Sequence, residues 1–274
     1  MKKAVFITIF ACLIVMIGTG CRGTKTEITP DVASSEENLF KLGEQYVKRD
    51  PEKARVYFRQ VIDSFPKSIT AQRAKLAIAD SYYKKADVGS MIIAASEYRE
   101  FITLFPLSPS ASYAQYQLAM TFFRKALSPG RDQTKTKQAL AEFKKVVTNF
   151  PRSVQVADSR EKIKDCEERL AAHNLTIGVH YYKVYALKAS TLRLTGILTE
   201  YPYFSKMDKV YFFLGDSFFR WNRFEEATPY LRKLITDFPE SKYIKRATKR
   251  MQEIEKMQAV KKRKKIRSGG LYDT

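Results

Sequence analysis

Leu214-Gly215-Asp216-Ser217-Phe218-Phe219-Arg220 is followed, twelve residues after Gly215, by Ala227, then by Leu231 and by Phe238-Pro239, with Ser241 two beyond the proline. A large residue beside a small one, with an aromatic four further on, lies along one face of a 3.6-residue helix. Ala227, Leu231 and the proline mark a second helix. The alanine lets two helices approach, the leucine fills the gap beside it, and Pro239 forbids continuation. The stretch therefore predicts a helical hairpin.

The same ruler is laid down five times. Aromatic-proline pairs stand at Phe65-Pro66, Phe105-Pro106, Phe150-Pro151, Tyr201-Pro202 and Phe238-Pro239. Twelve residues before each proline is a small residue (Ala54, Ala94, Ala139, Ser190, Ala227), and four after that a bulky one (Phe58, Tyr98, Phe143, Leu194, Leu231). The first helices are marked by Leu42-Gly43 with Tyr46, Ile78-Ala79 with Tyr82, Leu118-Ala119 with Phe122, Ile177-Gly178 with Tyr181, and Leu214-Gly215 with Phe218. The spacing resembles the tetratricopeptide repeat (TPR). The expected fold is all-α: a TPR-like helical-hairpin solenoid of five repeats plus a C-terminal capping helix from Tyr243 to about Ile266.

Departures from the ruler locate the irregular parts. The third repeat carries a longer loop, Ser128-Pro129-Gly130-Arg131-Asp132, rich in breakers. Fourteen extra residues precede the fourth repeat. That is about four whole turns, or roughly 21 Å, so Val156 to Lys183 reads as one long helix that keeps its phase.

Composition narrows the function. Lys and Arg exceed Asp and Glu by 49 to 29, a net charge of +20, while 3 Cys and 2 His leave almost no material for a zinc cluster or disulfide framework. His173 and His180 share a helix face but lack a third ligand. No phosphate loop or nucleophile elbow is present. The chain reads as a non-enzyme, with no cofactor and no metal.

The N-terminus reads as an address. Lys2 and Lys3 precede an uncharged apolar run from Ala4 to Ile17, then Gly18-Thr19-Gly20 and Cys21. This resembles a bacterial lipoprotein signal, in which Cys21 is lipidated and becomes the mature N-terminus; an ordinary cleaved signal is the other reading. Arg22 after the cysteine points to the outer membrane. The expected division is a signal peptide over 1–20, a lipidated flexible tether over 21–37, N-terminal repeats 1–3 over 38–153, repeats 4–5 with an extended first helix over 154–241, and a basic C-terminal helix and tail over 242–274. Cys166, between Asp165 and Glu167, reads as a passive thiol.

Stacked hairpins leave an extended surface suited to a peptide or a partner helix. Four first helices carry an aromatic doublet followed by a base: Tyr82-Tyr83-Lys84, Phe122-Phe123-Arg124, Tyr181-Tyr182-Lys183 and Phe218-Phe219-Arg220. The first ring is expected in the core slot. The second turns toward the inner face or the next repeat. Either both rings are packing, or Tyr83, Phe123, Tyr113 and Tyr116, rimmed by Arg73 and Arg124, line a groove for an aromatic-rich peptide ending in charge. Between Lys242 and Arg267 lie twelve Lys or Arg. Anionic phospholipid, an acidic partner domain and a solvated tail all fit this run; nucleic acid does not suit an exported lipoprotein.

Lipidated cysteine, tether and five irregularly spaced repeats resemble the BamD family of outer-membrane protein assembly lipoproteins. The stretch Glu168-Arg169-Leu170-Ala171-Ala172-His173-Asn174-Leu175, running into Gly178 and Tyr181-Tyr182-Lys183, is similar to that family's long helix. The resemblance implies a non-catalytic subunit of the β-barrel assembly machinery, lipid-anchored in the inner leaflet of the outer membrane and facing the periplasm. Its implied partners are the barrel-forming core subunit, the other lipoproteins of the complex and the C-terminal signals of unfolded β-barrel clients. The rival reading is another periplasmic TPR lipoprotein, a pilotin or a cell-envelope coordinator.

Overall fold

The structure is a computed structural model that describes residues 35–269. The expected signal peptide, Cys21, the tether up to residue 34 and the tail from residue 270 lie outside the described residues. The chain divides into two compact units, one reaching to Ala74 and one starting at Lys75.

In the first unit, α1 (Glu36–Tyr46) and α2 (Pro51–Ser64) form a hairpin. Both starts are written in the sequence. The Ser35 hydroxyl accepts the Asn38 N–H, and Asp50 accepts the Lys53 N–H at 3.0 Å with Pro51 in the first turn. Gly43 of α1 faces Phe58 of α2 so closely that a Cβ there would fall 2.4 Å from a ring carbon. The small-bulky ruler is thus a contact: the small residue of the first helix receives the bulky residue of the second. Helix α3 (Ile69–Lys85) starts in this unit, with the Ser68 hydroxyl accepting the Ala71 N–H at 2.9 Å.

The second unit continues with α4 (Val88–Leu104), α5 (Ala111–Phe123), α6 (Thr134–Asn149), α7 (Gln155–Lys183), α8 (Leu187–Glu200), α9 (Met207–Arg220), α10 (Phe224–Asp237) and α11 (Ile244–Gly269). Among the described residues all regular structure is helical, and the fold is a TPR-like helical-hairpin solenoid of five repeats with a capping helix. Each helix from α4 to α11 packs on the next. The first helices α5, α7, α9 and the cap α11 also touch in sequence, making one continuous layer.

Gly178 meets Leu194 and Gly215 meets Leu231 as Gly43 meets Phe58, a Cβ at either falling 2.7 Å from a leucine carbon. Where Ser190 takes the small position, its buried hydroxyl donates to the Gly178 carbonyl at 2.9 Å, which removes the cost of a polar group in the core.

The aromatic-proline signature is a turn. Each aromatic caps the second helix, the proline occupies the next position of a β-turn, and the N–H three residues after the aromatic donates back to the aromatic carbonyl. This bond recurs in Ser68 to Phe65, Ser108 to Phe105, Ser153 to Phe150, Phe204 to Tyr201 and Ser241 to Phe238. The fixed φ of proline suits that position.

Helix α7 runs 29 residues, about 43 Å. Its N-terminal half buries Cys166 against Phe143 of the third repeat, and its C-terminal half puts Leu175 and Tyr182 into the core of the last two repeats. One unbroken helix therefore serves two hydrophobic clusters. The long loop ahead of α6 is pinned rather than loose. Gln133 donates to the carbonyls of Ser128 and Arg131 at 2.8 and 3.0 Å, and His173 Nδ1 lies 2.7 Å from the Pro129 carbonyl oxygen.

Candidate peptide-binding surface

Of the six residues proposed from sequence, Arg73 lies in the first unit. Its guanidinium stands 4.1 Å from the centre of the Phe40 ring and pairs with Glu37 at 3.2 Å. The other five lie in the second unit, Tyr83 on α3, Tyr113, Tyr116 and Phe123 on α5, and Arg124 capping the C-terminus of α5. Arg124 covers the Tyr83 ring at 4.8 Å. Tyr83 meets Tyr98 edge-on at 6.5 Å. Tyr116 and Phe123 both lean on Phe143, at 5.7 and 5.9 Å. Tyr113 is engaged elsewhere: its hydroxyl donates to Asp80 Oδ1 at 2.9 Å, and the Tyr98 hydroxyl donates to the same oxygen. Burial first, and the Asp80 charge second, push both phenols well above their ordinary range.

Tyr83, Tyr116 and Phe123 are half-buried, each against a ring of its own hairpin. At Tyr83 and Phe123 the ring face is covered by a cation from the next first helix. Arg124 of α5 covers Tyr83 of α3; Lys162 and Arg169 of α7 stand 5.3 and 5.4 Å from Phe123 of α5. Arg220 of α9 covers Tyr182 of α7 at 4.2 Å, and Arg250 of α11 covers Phe219 of α9 at 4.4 Å. The second ring of all four doublets is therefore a rung between repeats. Such contacts are worth about 0.5–1 kcal/mol where exposed and about 2 where desolvated. Residue types alone hid this, because the cation comes from the following repeat.

The expected order holds for Phe218 and Phe219, while at Tyr82-Tyr83 and Phe122-Phe123 both rings are half-buried. In the fourth repeat the second ring, Tyr182, is the buried one, while Tyr181 is half-buried. Asp216 explains the inversion. Its side chain is fully buried and needs donors: the Tyr182 hydroxyl supplies one, Arg250 Nε another at 2.7 Å, and Arg220 Nε sits at 3.3 Å. Sequence reasoning missed this cluster. The signal was an aspartate directly after the small residue, in Gly215-Asp216 and again in Ala79-Asp80; both accept tyrosine hydroxyls from neighbouring helices.

A cleft of about 620 Å³ also went unread. It lies between mid-α7 and the turn after α8, lined by Lys164, Asp165, Glu167, Tyr201 and Tyr203 among others. Tyr203 is 96% exposed. Beside it Glu168 accepts the Ser205 N–H at 3.0 Å and its hydroxyl. Cys166 is fully buried, and its thiol is pushed up to about 12, by burial more than by its acidic neighbours. Among the described residues no group of His, Cys, Asp and Glu is placed to hold a metal.

The arrangement offers π-faces, guanidinium groups and carboxylates along a layer of helices, the chemistry of a surface that holds peptides. A family model described as "Outer membrane lipoprotein" (YfiO) matches residues 32–215, most of the chain. The chain belongs to this family. A second model, the tetratricopeptide repeat, matches residues 208–236 of this YfiO-family chain. Two curated relatives are each named outer membrane protein assembly factor BamD. That of Caulobacter vibrioides is 29% identical over 81% of this chain and 72% of its own length. That of Pasteurella multocida is 27% identical over 74% of this chain and 78% of its own length. Among solved structures, the TPR2AB-domain:pHSP90 complex of yeast Sti1 shows a TM-score of 0.42 at 15% identity, over 84% of this chain and 85% of that one. Family membership puts the protein at the outer membrane.

Proposed function

We propose that this chain is a non-catalytic scaffold in outer-membrane protein assembly, fixed by a lipidated Cys21 to the inner leaflet and facing the periplasm. In this reading repeats 1–3 (38–153) receive the C-terminal signal of unfolded β-barrel clients, and repeats 4–5 (154–241) contact a periplasmic domain of the barrel-forming core subunit. The observation that carries it is membership of the outer membrane lipoprotein family, with relatives named as assembly factors. The surface supports it. A barrel's last strand is extended, tipped by an aromatic ring and closed by a carboxylate, and within the second unit Tyr83, Tyr116, Phe123 and Arg124 offer stacking faces and a cation for those groups.

Co-purification from mildly solubilised membranes tests the reading. Recovery of the barrel-assembly core and its other lipoproteins is expected. Recovery of a secretin in their place would make the chain a pilotin and overturn the assignment. Cys21→Ser is expected to release the protein from the membrane into the periplasm, checked by fractionation.

A further inference from the structure

The C-terminal half of α11 leaves the body of the protein. Ala247 and Ile254 are fully buried, and Arg250 is anchored on Asp216. From Glu255 to Lys261 every residue is exposed, yet the helix runs on to Gly269. The last side chain seen against the body is Lys261, 5.8 Å from the centre of the Phe224 ring. Eight further residues, about 12 Å of helix, follow it.

This projecting segment is unbalanced in charge. From Lys256 to Arg267 it holds seven basic residues and no acidic one. Among the described side chains, Lys256, Lys261 and Arg263 form no ion pair. Met257 and Val260 are about half-exposed and three residues apart, so they share one side of the helix, with Lys256 and Arg263 flanking them a turn away. Apolar residues bracketed by long basic side chains fit an interface in which the apolar groups enter the headgroup layer and the amines stay among phosphates. The solenoid is already capped by the helix up to Ile254.

We propose that the projecting half of α11 binds an anionic phospholipid surface, giving the protein a second hold on the membrane, independent of any lipid at Cys21. Two observations favour lipid over an acidic protein domain. The chain belongs to an outer membrane lipoprotein family, so a membrane is at hand. The basic run also carries exposed Met257 and Val260, which a purely electrostatic protein contact would leave wet. Each basic residue near such a surface strengthens binding roughly fivefold, so several together give a salt-sensitive, reversible hold.

The test uses the full mature chain with Cys21→Ser, so that no acyl chain contributes. It is sedimented with vesicles of phosphatidylcholine alone and of phosphatidylcholine with phosphatidylglycerol. Binding is expected only to the anionic vesicles and is lost at high salt. Replacing Lys261, Lys262, Arg263, Lys264 and Lys265 together by Gln should weaken it on the order of a hundredfold or more, with helicity by circular dichroism unchanged. Met257→Ser with Val260→Ser should weaken it without changing its salt dependence. Equal binding by the five-fold variant, or no binding to anionic vesicles by the parent, overturns the proposal. In the latter case, loss of an acidic protein from membranes carrying the five-fold variant would assign the segment to that protein instead.

Discussion

Arg124 covers the face of Tyr83 from the neighbouring repeat, 4.8 Å from the ring centre. The same relationship links Phe123 to Lys162 and Arg169, Tyr182 to Arg220 and Phe219 to Arg250. Solenoid stability is the sum of hairpin stabilities and nearest-neighbour contacts, so a rung repeated at each junction belongs to the second kind. At Tyr83 the rung also keeps a guanidinium near the surface with its charge unspent on a carboxylate, whereas Arg220 and Arg250 pair with Asp216. Packing and binding are therefore compatible roles for these rings.

A double-mutant cycle separates the roles. Tyr83→Ala and Arg124→Ala should show a coupling of about 0.5–1 kcal/mol in urea unfolding. Additive effects would mean that the ring and cation are neighbours without interaction. Tyr83→Ala with Phe123→Ala should also weaken binding of a client C-terminal peptide while leaving helicity intact. Unchanged peptide affinity would leave packing as the only role of those two rings.

The small-bulky contact predicts which glycines are fixed. Gly215→Ala would put a Cβ 2.7 Å from Leu231 and force the hairpin apart, an overpacking cost of about 1–3 kcal/mol. Leu231→Ala in the same chain should recover part of it by opening the space. Gly130→Ala, with nothing within 4 Å of the new Cβ, is expected to be neutral by comparison. Thermal melts of the parent and the three variants decide it. Equal loss at Gly130 and Gly215 would remove the contact as the explanation.

The hairpins were legible because their determinants are local and repeated: glycine, bulky residue and proline act within one repeat, and the long α7 follows from an insertion of whole turns. What was not legible depends on groups far apart in the chain. Asp216 takes its donors from Tyr182, 34 residues before it, and Arg250, 34 after it. Arg124 reaches a ring 41 positions away. The inversion of the Tyr181-Tyr182 pair follows from that buried carboxylate and from no property of the doublet itself.

Three first helices end on a residue forced into the left-handed region: Ala86 at φ 60°, Tyr185 at φ 64° and Asn222 at φ 58°. In the last two the following N–H reaches back five residues, Ala186 to Tyr181 and Arg223 to Phe218 at 2.9 Å each, which closes the helix end. Glycine suits this position and alanine does not, so Ala86→Gly and Tyr185→Gly should each raise stability by about 0.5–1 kcal/mol. Asn222→Gly should gain less, since asparagine tolerates the conformation. Urea midpoints at constant slope measure this; a loss on Ala86→Gly would mean that unfolded-state entropy outweighs the relieved strain.

The buried carboxylate sets an alkaline limit. Burial and the Asp216 hydrogen bond push the Tyr182 phenol from 10.0 up to about 12. A phenol raised in the folded state supports folding below pH 10, and that support is lost as pH climbs from 10 toward 12. Tyr98, Tyr113 and Tyr201 are shifted the same way, so the whole protein should weaken steeply across that window. Tyr182→Phe should cost about 1 kcal/mol at neutral pH, one hydrogen bond to a group that keeps its arginines, and should flatten the decline between pH 10 and 12. Asp216→Asn is more damaging, because it removes the buried charge that two guanidinium groups share, leaving Arg250 only Glu253. Both arginines remain 28–30% exposed, so about 2–3 kcal/mol is expected rather than the larger cost of a wholly buried pair. Melting temperatures taken from pH 7 to 12 check both. An alkaline slope unchanged by Tyr182→Phe would show that the phenol ionises with equal ease in the folded and unfolded chains, and that its bond to Asp216 contributes nothing to the fold.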